Sequence, residues 1–107
     1  MNIIRSAAFT ADRAWGALDI ANLNGITVRL HWTDQPYRWH VNDGEEVFAV
    51  LETGDVFHAA AGTEHVAHPL GEARIFVIET EGSVWWPAAV RRCRADGNRL
   101  RAARFIR

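Results

Sequence analysis

The chain has 107 residues, 49% of them hydrophobic and 23% charged, which is ordinary for one globular domain with a single core. It has no run of about 18 apolar residues, which excludes a membrane-spanning helix, and no secretory signal is apparent at its start. The single cysteine, Cys93, cannot form an internal disulfide, so we expect a reducing, cytoplasmic setting.

The charge changes sign near the C-terminus. Residues 1–90 carry twelve acidic side chains and five arginines, whereas residues 91–107 carry seven arginines and one aspartate. A change of this kind over one short stretch indicates a segment with its own role. We therefore divide the chain into a β domain at residues 1–84 and a basic C-terminal extension at residues 85–107.

The first half of the chain predicts a strand and then a hairpin. Residues 2–5 are predicted to form a short edge strand, and residues 10–15 either one helical turn capped by Thr10 or a bend. Residues 16–21 and 26–32 flank a segment that ends in Asn24 and Gly25, which adopt positive φ at little cost. This pattern predicts a β-hairpin, with the apolar residues of its second strand on one face.

Short apolar segments then alternate with turn residues for the rest of the domain. The pattern predicts further extended segments at 37–41, 46–51, 56–60, 65–68 and 74–79. Many short strands with turns every 8 to 12 residues are typical of an all-β sandwich or barrel.

Four of the five histidines lie between positions 40 and 68, among several carboxylates. Neutral imidazoles and a carboxylate together suit first-row divalent metals, because they supply nitrogen and oxygen donors and offset part of the charge. The residue types therefore favour a metal site in this part of the chain.

Residues 39–51, Trp-His-Val-Asn-Asp-Gly-Glu-Glu-Val-Phe-Ala-Val-Leu, resemble the first motif of the cupin superfamily, and residues 54–65 resemble the second. The resemblance covers roughly residues 16 to 80. It implies a jelly-roll type, double-sheet β-barrel that holds a metal at its open end. By position in the motifs, the implied ligands are His40, Glu46 and His65, of which Glu46 has Glu45 as an alternative.

The resemblance implies a divalent ion such as zinc, iron, manganese or nickel, and a small-molecule ligand beside it. We expect Arg38, Trp39 and His58 to contact that ligand. The guanidinium of Arg38 stands where cupins place their first histidine, and could hold an anionic substrate through two parallel hydrogen bonds.

The chain departs from the cupin pattern between the two motifs. Residues 51–54 run directly from one motif into the next, where cupins have two more strands, and Ala60 replaces a corner proline. A barrel without these strands exposes sheet edges. Either the sheet closes with fewer strands, or another subunit fills the gap, or the chain is a shortened version of a longer relative.

Three functions stay open. The first is a metal-linked small-molecule site with catalysis undecided, since cupins include dioxygenases, isomerases and lyases. The second is a non-catalytic binding or sensor module, and the third is an assembly module. We expect a homodimer that associates through sheet edges, and no membrane partner.

The arginine-rich extension allows three interpretations. It binds nucleic acid through phosphates, it folds back on the acidic body and covers an exposed edge, or it has no selected role. Two of its three aromatic residues, Trp85 and Trp86, precede the arginines, and only Phe105 lies among them. We therefore do not expect nucleic-acid binding.

Overall fold

The structure is a computed structural model that describes residues 1–37, 39–81, 85–87 and 103–106. Over these residues it is almost entirely β, which confirms the predicted fold class. A 3-10 helix at Ser6–Ala8 precedes the strands. The strands are β1 (Gly16–Asn22), β2 (Ile26–Thr33), β3 (His40–Asn42), β4 (Glu46–Val50), β5 (Asp55–Ala59), β6 (His65–His68), β7 (Ala73–Thr80), β8 (Trp85–Pro87) and β9 (Ala103–Ile106).

The strands form two sheets. The first sheet has the order β1-β2-β7-β4-β5, and all its neighbours are antiparallel. The second sheet has the order β8-β3-β6-β9, in which β9 runs parallel to β6 and the other pairs are antiparallel. No helix within the described ranges is long and apolar enough to cross a membrane.

The predicted hairpin is present between β1 and β2. Leu23 and Ile26 exchange backbone hydrogen bonds of 2.7 and 3.3 Å across the two-residue turn. Asn24 and Gly25 have φ of 54° and 93°, the left-handed values that a type I′ turn requires at both of its central positions. The turn thereby fixes the register of the first two strands.

Every second residue of β4, and of β7 as far as Val77, is buried, and the apolar ones form the core between the two sheets. Phe48 and Val50 on β4 and Ile75 and Val77 on β7 are buried and pack in one cluster with Ala67 of β6. Full burial of such side chains stabilises the fold by about 1.5–3 kcal/mol each. Each of these two strands continues its inward row into a glutamate, which brings carboxyl groups to one end of the core.

Over the described residues, the two sheets do not close into a barrel. A turn over residues 51–54 joins β4 directly to β5, with no strand between them, as the short connection between the motifs predicted. Two pieces of the predicted extension pair with the second sheet, β8 along β3 and β9 along β6. This pairing agrees with the interpretation that the C-terminal segment covers a sheet edge. The division into two domains at residue 84 stays a prediction.

Two local predictions differ from the structure, and a third, which allowed two alternatives, agrees with one of them. Residues 2–5 are exposed and form no strand, because they pair with no neighbouring strand. Residues 10–15 form a bend and a turn, the second of the two predicted alternatives. The extended segment predicted at 37–41 contributes a strand only from His40, and that strand continues to Asn42.

Candidate metal centre

Three of the predicted site residues meet at one end of the sandwich. His40, Glu46 and His65 each offer one ligand atom, and these atoms all lie within 4.8 Å of one another. The three residues are buried, with relative exposures of 7%, 4% and 2%. They come from strands in both sheets, so the group exists only in the folded sandwich.

Strand register brings the two histidines together. His40 on β3 is paired directly with His65 on β6, and their ring centroids lie 4.1 Å apart. Gly62, with φ of 80°, turns the chain into β6, and its backbone N–H donates to the carbonyl of Asn42 at 2.9 Å. This left-handed conformation suits glycine, and it starts β6 at the histidine.

The hydrogen bonds of His65 determine which ring nitrogen is free. Its Nδ1–H donates to the backbone carbonyl of Thr63 at 2.9 Å, and a carbonyl can only accept. In the neutral ring, Nε2 then carries a lone pair. A histidine ligand of a metal is commonly held by this kind of bond from its other ring nitrogen.

The free nitrogen of His65 faces a carboxylate oxygen. Nε2 of His65 lies 3.6 Å from Oε1 of Glu46, and both atoms are buried with no hydrogen-bond partner among the residues described. Two donors on one tetrahedral zinc ion stand about 3.4 Å apart, given bonds of about 2.1 Å. The separation therefore fits two ligands of a single small cation.

The group lines a cavity of about 230 Å³ between the sheets. Its wall is mostly aromatic and aliphatic, with polar groups concentrated at the histidines and glutamates. The lining residues are Trp15, His31, Tyr37, His40, Asn42, Glu46, Phe48, His65, Ala67, Ile75, Val77 and Glu79. A few polar groups in an apolar cavity are typical of a small-molecule site.

Trp15 and His31 line this cavity, although neither was among the predicted site residues. The Nδ1–H of His31 donates to the Trp15 carbonyl at 3.2 Å, which leaves Nε2 of the neutral ring as an acceptor. Burial lowers the pKa of His31, so the ring is neutral at pH 7. Trp15 has φ of 62°, a conformation that bulky residues rarely adopt. Close packing beside it requires Gly16, where a Cβ would lie 2.4 Å from the Cβ of Ala11.

Glu79 is a second carboxyl group in the cavity that was not among the predicted site residues. It stands directly opposite Glu46 in the register of β7 with β4. Burial, and after it the neighbouring Glu46 as hydrogen-bond partner and negative charge, raises the pKa of Glu79 to about 7. The alternation of buried and less buried residues along β7 could have indicated Glu79, because it lies an even number of positions from Ile75 and Val77 and therefore on the same face of the strand.

Other predicted residues lie elsewhere. Glu45 and His58 form an exposed pair, with 2.7 Å between Oε1 and Nε2, so Glu46 and not Glu45 belongs to the buried group. Trp39 is half-buried and does not line the cavity. Arg38 lies outside the described residues.

The chain matches no protein-family model, no curated protein and no solved structure. The cupin resemblance therefore rests on the two sequence motifs and stays a prediction.

Proposed function

We propose that this protein binds a divalent metal ion through His40, Glu46 and His65 and holds a small polar molecule in the adjoining cavity. The observation that carries the proposal is a pair of buried atoms, Nε2 of His65 and Oε1 of Glu46, which face each other at 3.6 Å and have no hydrogen-bond partner in the described part of the chain. Two electron-rich atoms so placed need a cation or a proton between them.

The cupin resemblance supports the proposal together with the geometry. The two motifs implied ligands at positions 40, 46 and 65, and these three residues form the buried group whose ligand atoms lie within 4.8 Å of one another. We accordingly interpret the chain as a cupin-type sandwich reduced by two strands.

The residues around the group define what the site can do. A bound divalent ion would supply Lewis acidity toward an oxygen of the ligand. The neutral His31 can accept a hydrogen bond from a ligand hydroxyl through Nε2. Phe48, Ile75 and Val77 form an apolar wall that limits water in the cavity. These properties serve an enzyme or a sensor equally well, so the proposal is metal-linked small-molecule binding with no reaction assigned.

The test is the metal content of protein purified without chelator, measured by inductively coupled plasma mass spectrometry. We expect about one divalent ion per chain in the wild type and little in His65→Ala. Glu46→Gln is a second variant that keeps the size of the side chain and removes its charge. His58→Ala is the matched control, because it removes an exposed histidine whose side chain is 59% accessible.

Loss of metal in His65→Ala and Glu46→Gln but not in His58→Ala would support the site, provided that circular dichroism shows all variants folded. Equal metal content in all proteins would contradict it.

A second candidate is a binding module without metal. In that case Nε2 of His65 and Oε1 of Glu46 would face each other without an ion, at a separation of 3.6 Å that is too long for a hydrogen bond. Wild-type protein that remains metal-free after equilibration with zinc, manganese, iron and nickel would favour this alternative.

A further inference from the structure

We propose that Glu79 is a fourth protein ligand of this ion, so that the centre has two imidazoles and two carboxylates. This inference rests on the proposed function, and it assigns to the site a residue that neither motif contains. It also completes the ligand set that the cupin resemblance implies. That set lacks one histidine here, because Arg38 stands where cupins place their first histidine.

The sheet register places Glu79 beside the group. Glu46 on β4 and Glu79 on β7 are directly paired in neighbouring antiparallel strands. The Cβ atoms of such pairs are about 4.5–5.5 Å apart, and both side chains project from the same face. That face is the inner one, because the same rows continue into Phe48 and Val77, which are also paired and buried.

The lining of the cavity also places Glu79 close to the metal group. Glu79 lines the cavity together with all three members of the metal group. It also lines a groove of about 630 Å³, with Asp19, Thr27 and Arg29. Glu79 is thus shared by the cavity that holds the metal group and by this groove.

Electrostatics favours a cation between the two carboxyl groups. Two carboxylates in neighbouring inward positions repel each other, and burial strengthens the repulsion. Arg29, the arginine on the adjacent strand, forms an ion pair with Asp19 at 2.8 Å, which offsets its charge. A divalent ion held by both glutamates would remove the repulsion and leave a site with no net charge.

A ligand set rich in oxygen has a consequence for metal preference. Carboxylates suit manganese and other hard ions, whereas imidazole suits zinc, copper, iron and nickel. Removal of the Glu79 carboxylate should therefore weaken manganese binding more than zinc binding. A residue that merely positioned Glu46 would instead affect both metals alike.

The experiment is a titration of the purified full chain with Mn²⁺, in which electron paramagnetic resonance measures the free ion, and a parallel titration with Zn²⁺ by a competing chelator. Glu79→Gln keeps a side chain able to hydrogen-bond to Glu46 but lacks the negative charge. Glu79→His restores a metal-binding atom without a carboxylate. Glu81→Gln is the matched control two residues further along, where the side chain is exposed.

We expect Glu79→Gln to weaken Mn²⁺ binding at least about tenfold, with a smaller loss for Zn²⁺. Glu79→His should recover Zn²⁺ affinity, and Glu81→Gln should match the wild type. Unchanged Mn²⁺ affinity in Glu79→Gln, with binding abolished in His65→Ala, would overturn the assignment of Glu79 and leave the three-residue site intact. A wild-type chain that binds neither metal would overturn the proposed function as well.

Discussion

Replacement of Glu79 by glutamine should change how the stability of the metal-free protein depends on pH. The pKa of Glu79 is raised from 4.5 to about 7 in the folded chain, first by burial and then by Glu46. The folded protein therefore binds this proton more tightly than the unfolded chain does. Stability from the protonated carboxyl is fully present below pH 4.5 and is lost as the pH rises through 7.

The size of the effect follows from the shift and from the exposure of the group. A pKa difference of one unit corresponds to about 1.4 kcal/mol. Water reaches part of the Glu79 carboxyl and screens its interactions, so the full value does not apply. We expect the wild type to lose about 1–2 kcal/mol through this group between pH 5 and pH 8.

The assay is urea-induced unfolding in EDTA at pH 5 and pH 8, with wild type and Glu79→Gln compared at each pH. His31 acts in the opposite sense, because its lowered pKa removes stability as the pH falls through about 6.5, its ordinary value. His31 is present in both proteins, so their difference isolates Glu79. Asp34→Asn, in an exposed loop, is the control.

Relative to the wild type, Glu79→Gln should be more stable at pH 8 than at pH 5. If the free energies of unfolding of the two proteins differ by the same amount at pH 5 and at pH 8, the pKa of Glu79 is not raised in the folded chain. The interaction inferred between the paired carboxyl groups of Glu79 and Glu46 would then be refuted.

Three further predictions concern the fold. Ile75→Ala should destabilise the protein by about 2–5 kcal/mol in chemical denaturation, because Ile75 is 2% exposed at the centre of the core; a loss below 1 kcal/mol would contradict this. Gly25→Ala should cost about 1 kcal/mol or more, since φ of 93° strains any other residue, and an unchanged midpoint would refute the turn assignment. Removal of residues 103–107 should lower the thermal midpoint and promote concentration-dependent association in light scattering, because β6 loses its pairing with β9; a stable monomer would contradict that pairing.

Local chemistry was sufficient to predict much of the fold. Asn24 and Gly25 identified the hairpin because few residues tolerate two successive positive φ values. The position of Glu46 in the first motif, at the start of a hydrophobic strand, favoured it over Glu45 as a site residue. In the structure Glu46 has the parity of Phe48 and Val50 and is buried, whereas Glu45 has the opposite parity and reaches the surface.

Features that depend on partners distant in sequence were not predictable. Residues 2–5 have the composition of a strand, but a strand also needs a neighbour, which the fold does not provide there. Trp15 lines the cavity and has an uncommon φ value, which no pattern in the sequence predicts. Alternation places Glu79 in the inward row of β7, but its position opposite Glu46 depends on the β4–β7 pairing, which joins residues 33 positions apart and cannot be read from either strand alone.

The most direct test of the metal centre is the zinc K-edge X-ray absorption spectrum of the zinc-loaded full chain. We expect nitrogen and oxygen neighbours at about 2.0–2.2 Å, with outer-shell scattering from two imidazole rings that is reduced in His65→Ala. A sulfur neighbour at about 2.3 Å would place the ion at Cys93 instead. A spectrum without imidazole scattering would show that His40 and His65 do not bind the ion, and would contradict the central claim.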